Sequence, residues 1–184
     1  MTGSQETVLV VVRGPSGAGK SSVAARLRTA YGRGLAVVAQ DLLRRTVLRE
    51  RDVPGGANIG LIDVVARHAL DHGFHVVVEG VLAAERYREM LARLAADHRG
   101  RSHLYYLDVD FAETVRRHAT RPQAAEFSPA AMADWRTPEE RGALRSEPGP
   151  LGQHLGLRRL RGTAAGGPSS ITGSAQREPR PRPG

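Results

Sequence analysis

The chain has 184 residues, a mass of 19.8 kDa and a formal net charge of +8, which is one domain's length by the usual prior. Hydrophobic residues make up 40% and aromatics only 4%, and the lack of Cys excludes a disulfide scaffold, a thiolate metal site and a Cys nucleophile. No apolar run approaches the roughly 20 residues of a membrane span, and Val8–Val12 is too short for a signal peptide, so the expectation is a soluble, cytoplasmic protein with no membrane partner.

Thr7–Arg13 is a β-branched apolar run, as expected for a strand buried on both faces. Gly14–Ser21 follows it. A helical stretch then runs through Val23, Leu27 and Ala30 and stops near Gly32. Leu35–Ala39 reads as a second strand, closed by Gln40 and Asp41, and Leu42–Leu48 as a short helix. Asp52–Gly60 has loop composition. Ile59, Ile62, Ala66, Ala69 and Leu70 mark a helix face, with Gly73 as its stop. Phe74–Val78 is a third strand, ending at Glu79-Gly80. Tyr87, Leu91, Leu94 and His98 space the next helix, with Glu89 and Arg93 paired on its outer face. Leu104–Val109 is a fourth strand. Asp110 and Glu113 form a candidate capping box for the helix carrying Val115 and Ala119. Ser128-Pro129 starts a last helix.

Strands therefore alternate with helices. This predicts an α/β fold with a mainly parallel sheet covered on both faces. After about Arg136 the pattern stops. Residues 141–184 hold 9 Gly and 6 Pro and no aromatic residue. The chain divides into a main domain, residues 1–140, and a Gly/Pro/Arg-rich tail, residues 141–184, expected to be disordered. Leu151–Leu160 reads at most as a turn of helix.

The charge divides the same way. Residues 1–140 carry 19 basic and 17 acidic side chains, and residues 141–184 carry 8 and 2. A near-neutral main domain argues against a nucleic-acid groove. Of the 27 basic residues, 26 are Arg; the single Lys is Lys20.

Lys20 belongs to the clearest motif. Gly14, Pro15, Ser16, Gly17, Ala18, Gly19, Lys20 and Ser21 match G-x-x-x-x-G-K-[ST] without departure, and Ser22 follows. Glycines let such a loop curl so that successive N–H groups form an anion nest. The helix behind it adds its positive N-terminal end. Lys20 can reach the β- and γ-phosphates, and Ser21 can ligate Mg²⁺. The alternative is a chance Gly-rich turn, which the strand before and helix after argue against.

Asp41 follows the second strand, at the same sheet edge as the phosphate loop. It could accept the proton of an attacking hydroxyl, or it could merely cap Leu42–Leu48. Arg44 shares its helix face and could clamp the acceptor or the phosphoryl group. Glu79 ends the third strand at that edge and could hold Mg²⁺ or its water; a loop-start acid is the alternative. Asp108 and Asp110 compete for the role, with Asp110 better read as an N-cap. Arg116, Arg117 and Arg121 precede Pro122. They could form a lid that neutralises developing charge, or a solvated basic face. His68 and His72 are four apart but lack a third metal ligand.

GPSGAGKSS, QDLLRR after strand two, VVVEG at strand three and ETVRRHATRP together resemble the small P-loop kinases. These include chloramphenicol phosphotransferase, zeta toxins and the kinase domain of polynucleotide kinase, and the residues also resemble actinobacterial P-loop kinases. The resemblance spans roughly residues 7–136. It implies a three-layer P-loop NTPase fold with strand order 2-3-1-4-5, ATP and Mg²⁺, and transfer of the γ-phosphoryl group to a hydroxyl of a small molecule. It also implies that Asp41 is the general base, Arg44 an acceptor or phosphate contact, and Arg117 and Arg121 lid arginines. The chain departs from the pattern after Trp135. No convincing strand follows, which leaves order 2-3-1-4 and puts the fifth strand in doubt. Two other readings stay open: a polynucleotide 5′-hydroxyl kinase and a non-catalytic nucleotide-binding protein. Neither the acceptor nor the oligomeric state can be read from the chain.

Overall fold

The structure is a computed structural model, which describes residues 1–119 and 158–161. Strand β1 is Val8–Arg13, and helix α1 is Lys20–Tyr31. Strand β2 is Leu35–Ala39, followed by a wide helical turn at Leu42–Val47. Helix α2 is Ala57–Asp71, β3 is His75–Gly80, and α3 is Ala84–Asp97. Strand β4 is Arg101–Asp108, α4 is Phe111–Ala119, and β5 is Arg158–Arg161.

The sheet order is β2-β3-β1-β4-β5, with every pairing parallel. β1 lies at the centre, with Leu9–Arg13 opposite Val76–Gly80 on one side and Val8–Arg13 opposite Arg101–Tyr106 on the other. Alternation along the strands divides the core into two layers. Leu9, Val11, Val76, Val78 and Leu104 pack with Ile62, Ala66 and Leu70 of α2 and Tyr87, Leu91 and Leu94 of α3. Val12, Val77 and Leu107 face the other way, against Ala18, Ala24 and Val23 of the loop and α1. Continuous Val/Leu runs suit this central position because both faces of the strand are removed from water.

Several boundaries differ from expectation. Phe74 lies outside β3 and is 42% exposed, because His75 is the first residue in register with β2. β4 begins at Arg101, three residues before its apolar part; its early side chains are only partly covered, so backbone pairing to β1 defines them. The turn at Leu42–Val47 closes with wide hydrogen bonds, Leu48 N–H to Leu43 O at 3.0 Å, instead of α-helical ones. Glu89 and Arg93 pair at 3.1 Å as expected. Glu113 bonds Arg116 twice at 2.8 Å, and α4 starts with Thr114 N–H donating to Asp110 O.

The doubt over a fifth strand is resolved by β5, whose Arg158–Arg161 pairs with Tyr105–Asp108. It lies in the segment read as a tail and replaces the suggested helical turn at its end. An outer strand of four residues has one hydrogen-bonded neighbour and needs no apolar run, so a search for buried strands passes over it. The expected helix from Ser128, Trp135, Arg121 and the remainder of the tail lie outside the described residues. Among the described residues, no helix is long and apolar enough to cross a membrane.

Candidate functional site

Parallel pairing delivers the C-terminal ends of β1, β2 and β3 to one edge of the sheet. The Gly14–Gly19 loop leaves β1 there. Gly14 passes so close to β4 that an added Cβ would lie 2.7 Å from Leu107 O. Gly19 has φ +95° at the start of α1, a conformation that L side chains rarely adopt. The loop therefore folds back, with Ala18 N–H donating to Pro15 O at 3.2 Å. Lys20 is buried at 8% exposure, and its Nζ donates to Pro15 O at 2.8 Å. Ser21 and Ser22 are exposed at the first turn of α1.

Glu79 lies beneath Ser21. Ser21 Oγ donates to Glu79 Oε1 at 3.0 Å, linking α1 to β3. Glu79 is 6% exposed, and burial raises its pKa, with Asp41 adding to the rise. The Ser21 hydrogen bond and the Lys20 charge oppose it. The Ser21 and Glu79 oxygens are hard donors of the type that suits Mg²⁺. His68 and His72 stack at 4.1 Å, with His72 Nδ1 on His68 O at 2.7 Å, and among the described residues no group of three or more His, Cys, Asp or Glu could hold a metal.

Asp41 does not cap the turn that follows. Its backbone is helical and its side chain makes no capping bond. The carboxylate instead meets Arg44 at 2.9 Å and Arg45 at 3.4 Å, while its side chain stays 68% exposed. Arg44 is more enclosed, at 15% exposure, and its Nη1 donates to Glu50 O at 3.2 Å. Glu50 in turn accepts from the N–H groups of Ala57 and Asn58 at 2.7 and 2.9 Å and from the Asn58 amide at 3.1 Å. It thus caps α2 from seven residues away. These bonds, the Asn58 N–H first, hold the Glu50 pKa below its ordinary value.

A second network lies deeper. Gln40 Nε2 donates to Tyr87 Oη at 2.7 Å. That hydroxyl lies 2.6 Å from Asp52 Oδ1 and 2.7 Å from Asn58 Oδ1. Arg86 pairs with Asp52 at 3.3 Å. Desolvation, then the Asp52 carboxylate, raises the Tyr87 pKa and keeps the hydroxyl protonated.

The edge therefore gathers Gly14–Ser22, Asp41, Arg44 and Glu79. Arg117 lies within α4, and neighbouring Arg116 is 71% exposed and paired with Glu113. Gln40, Glu50 and Tyr87 are not among the residues expected at the site, and Asp52 and Asn58 are expected there only as members of the Asp52–Gly60 segment, where acceptor specificity would lie. The spacing of Tyr87 with Leu91 and Leu94 marks it only as a position on a helix face. Its hydroxyl was the available signal, since a buried Tyr needs a polar partner.

Residues 9–141 match the AAA domain family. No curated protein matches the chain. Among solved structures, it is similar to the Mycobacterium tuberculosis APS kinase CysC in complex with AMPPNP and APS, at 22% identity over 85% of this chain and 88% of that one, with TM-score 0.56. It is similar to a gluconokinase from Sinorhizobium meliloti 1021 at 18% identity, over 86% of this chain and 83% of that one, with TM-score 0.51. A chain of the Pnkp1/Rnl/Hen1 RNA repair complex is 17% identical over 71% of this chain and 43% of that one, with TM-score 0.55. At these identities the likeness is one of fold.

Proposed function

The chain belongs to the AAA domain family and has the fold of the small P-loop kinases, and from that premise we propose that it is an ATP-dependent phosphotransferase whose acceptor is a hydroxyl on a small molecule. The observation that carries this reading is the convergence of two unlike groups on one sheet edge. The phosphate-loop pair, Lys20 and Ser21, stands over Glu79, and the carboxylate–guanidinium pair, Asp41 and Arg44, stands at the end of the strand beside it.

In this reading the loop amides and Lys20 hold the ATP phosphates. Lys20 exchanges its present acceptor, Pro15 O, for phosphate oxygens. Ser21 and Glu79 would hold Mg²⁺, which when bound would neutralise charge on the phosphates. Arg44 orients the acceptor or the transferring group. Asp41 accepts the hydroxyl proton as the acceptor oxygen bonds to the γ-phosphorus. The bond from that phosphorus to the bridging oxygen breaks, and ADP leaves with the electron pair. Arg117 and Arg121 complete the charge neutralisation from the lid. Catalysis is mostly positioning and electrostatics.

The test is an acceptor screen with radiolabelled ATP over sugars, sugar acids, nucleosides, amino alcohols and a 5′-hydroxyl oligonucleotide, with Lys20→Ala as the control. Transfer to a small molecule, lost in the control, supports the proposal. Transfer to the oligonucleotide alone replaces it with a polynucleotide kinase. ATP binding without transfer to any acceptor leaves a nucleotide-binding protein.

A further inference from the structure

Gln40 is the residue that joins the acceptor side of the site to the rest of the fold. It directly precedes Asp41 and is 2% exposed. Its Oε1 accepts from Leu82 N–H at 3.1 Å, and its Nε2 donates to Tyr87 Oη at 2.7 Å. A weaker contact reaches Asp52 Oδ2 at 3.4 Å. Two features show how tightly the side chain is seated. A Cβ at Gly80 would run into it. Leu82, fully buried, holds φ +46° with its N–H on Gln40, a backbone state that persists only when its surroundings over-determine it.

Tyr87 carries the connection onward. Fully buried on α3, its hydroxyl lies between Gln40, Asp52 and Asn58. Asn58 is also fully buried, at the start of α2, where Glu50 caps the helix and the Glu50 carbonyl accepts from Arg44. The pair of exposed Asp41 and enclosed Arg44 is thereby tied at both ends to one buried hydroxyl. The Asp41 end runs through its neighbour Gln40, and the Arg44 end runs through Glu50 and Asn58. An ion pair whose carboxylate is 68% exposed holds its own geometry weakly, because water competes for that partner.

We infer that Gln40 and Tyr87 are positioning residues for phosphoryl transfer: the hydrogen bond between them fixes the backbone at Asp41 and, through Asn58 and Glu50, the guanidinium of Arg44. This rests on Asp41 being the proton acceptor of the reaction. Neither residue touches the reacting atoms. Their contribution is to keep Asp41 and Arg44 within reach of one acceptor oxygen.

The experiment uses the full chain with ATP and water, since water can take the acceptor's place slowly and needs no identified substrate. Three single variants, Tyr87→Phe, which keeps the ring and removes the hydroxyl, Gln40→Met and Asp41→Asn, are compared with the double variant Gln40→Met/Tyr87→Phe. Tyr87→Phe is expected to lower kcat for hydrolysis about tenfold while the KM for ATP stays within about twofold, the signature of lost positioning without lost binding. Amide exchange at Leu82 and Asn58 is expected to quicken about tenfold, with α1 unchanged. The double variant Gln40→Met/Tyr87→Phe is expected to be no worse than the poorer single one, because both act through one bond. Unchanged kcat in both single variants, with Asp41→Asn inactive, overturns the positioning role and spares the base. Losses that multiply in the double variant overturn it also. Full hydrolysis by Asp41→Asn removes the base and the positioning role together. Should Tyr87→Phe lose its ATP-dependent thermal shift, Gln40→Met decides from the other side of the bond.

Discussion

Glu79 Oε1 accepts a hydrogen bond from Ser21 Oγ at 3.0 Å, so the first turn of α1 is tied to the end of β3 by a buried carboxylate. The two residues are 58 positions apart. They meet because β1 and β3 are parallel neighbours that end at the same edge. The contact puts a negative charge under the phosphate loop, where Lys20 attracts it and Asp41 repels it. In the absence of a cation this carboxylate is raised in pKa by burial. A bound divalent ion would reverse that balance.

Glu79→Gln is expected to separate stability from function. Because its folded pKa lies above the unfolded one, the ionised carboxylate costs stability at neutral pH, and the cost fades as pH falls through the folded value and is gone below the unfolded one. The metal-free variant should therefore melt about a few degrees higher than the parent at pH 7, with the gain shrinking near pH 4. The same variant should need more Mg²⁺ for ATP turnover. Melting curves at the two pH values and a Mg²⁺ titration check both halves.

The pH dependence of nucleotide turnover should carry the same group. If Glu79 holds Mg²⁺ as proposed, it must be ionised to do so, and activity is expected to fall on the acid side at a pH above that of an ordinary carboxylate. Raising Mg²⁺ should move the limb to lower pH. A limb that ignores Mg²⁺ assigns the titration to another group.

Lys20→Ala is expected to lower ATP turnover by about a hundredfold or more, as loss of one preorganised charge on a transferring group does. Lys20→Arg should not restore it. The loop leaves room for an unbranched ammonium that already reaches Pro15 O, and a planar guanidinium has a different reach and shape. Comparing the two variants by kcat and by ATP affinity distinguishes charge from shape.

Asp41→Asn is expected to cost about a hundredfold to ten-thousandfold in transfer, the usual range for a general base, while ATP binding is kept. The side chain is exposed and caps nothing, so the melting temperature should stay close to that of the parent. A large fall in melting temperature would make it a structural residue.

Glu50→Ala should destabilise α2, since three hydrogen bonds to its first turn end on this one carboxylate. Its folded pKa is lowered, so the contribution is complete above the unfolded value and is lost as pH falls through the folded one. The difference in melting temperature between parent and variant should therefore narrow in acid. A constant difference would mean that the carboxylate's charge is not what stabilises the helix.

What the sequence by itself determined was whatever is written in contiguous residues. Continuous Val/Leu runs, of the kind buried on both faces, mark β1 and β3 as inner strands of a sheet. The Gly14–Ser21 spacing marks a phosphate loop because that order of glycines, lysine and hydroxyl suits backbone and cation to an anion. The position of Asp41 and Glu79 at strand ends follows from the strands. What only the tertiary structure decided was which of these groups meet. The spacing puts Asp41 and Arg44 on one face, but only the structure shows that the Asp41 backbone is already helical and its side chain pairs with Arg44 without capping the turn. Gln40, Asp52, Asn58 and Tyr87 carry no shared spacing, since their contact arises from three loops and helices packing on one sheet edge. The four residues of β5 are held by pairing with β4, an energy that belongs to the partner strand as much as to Arg158–Arg161 themselves.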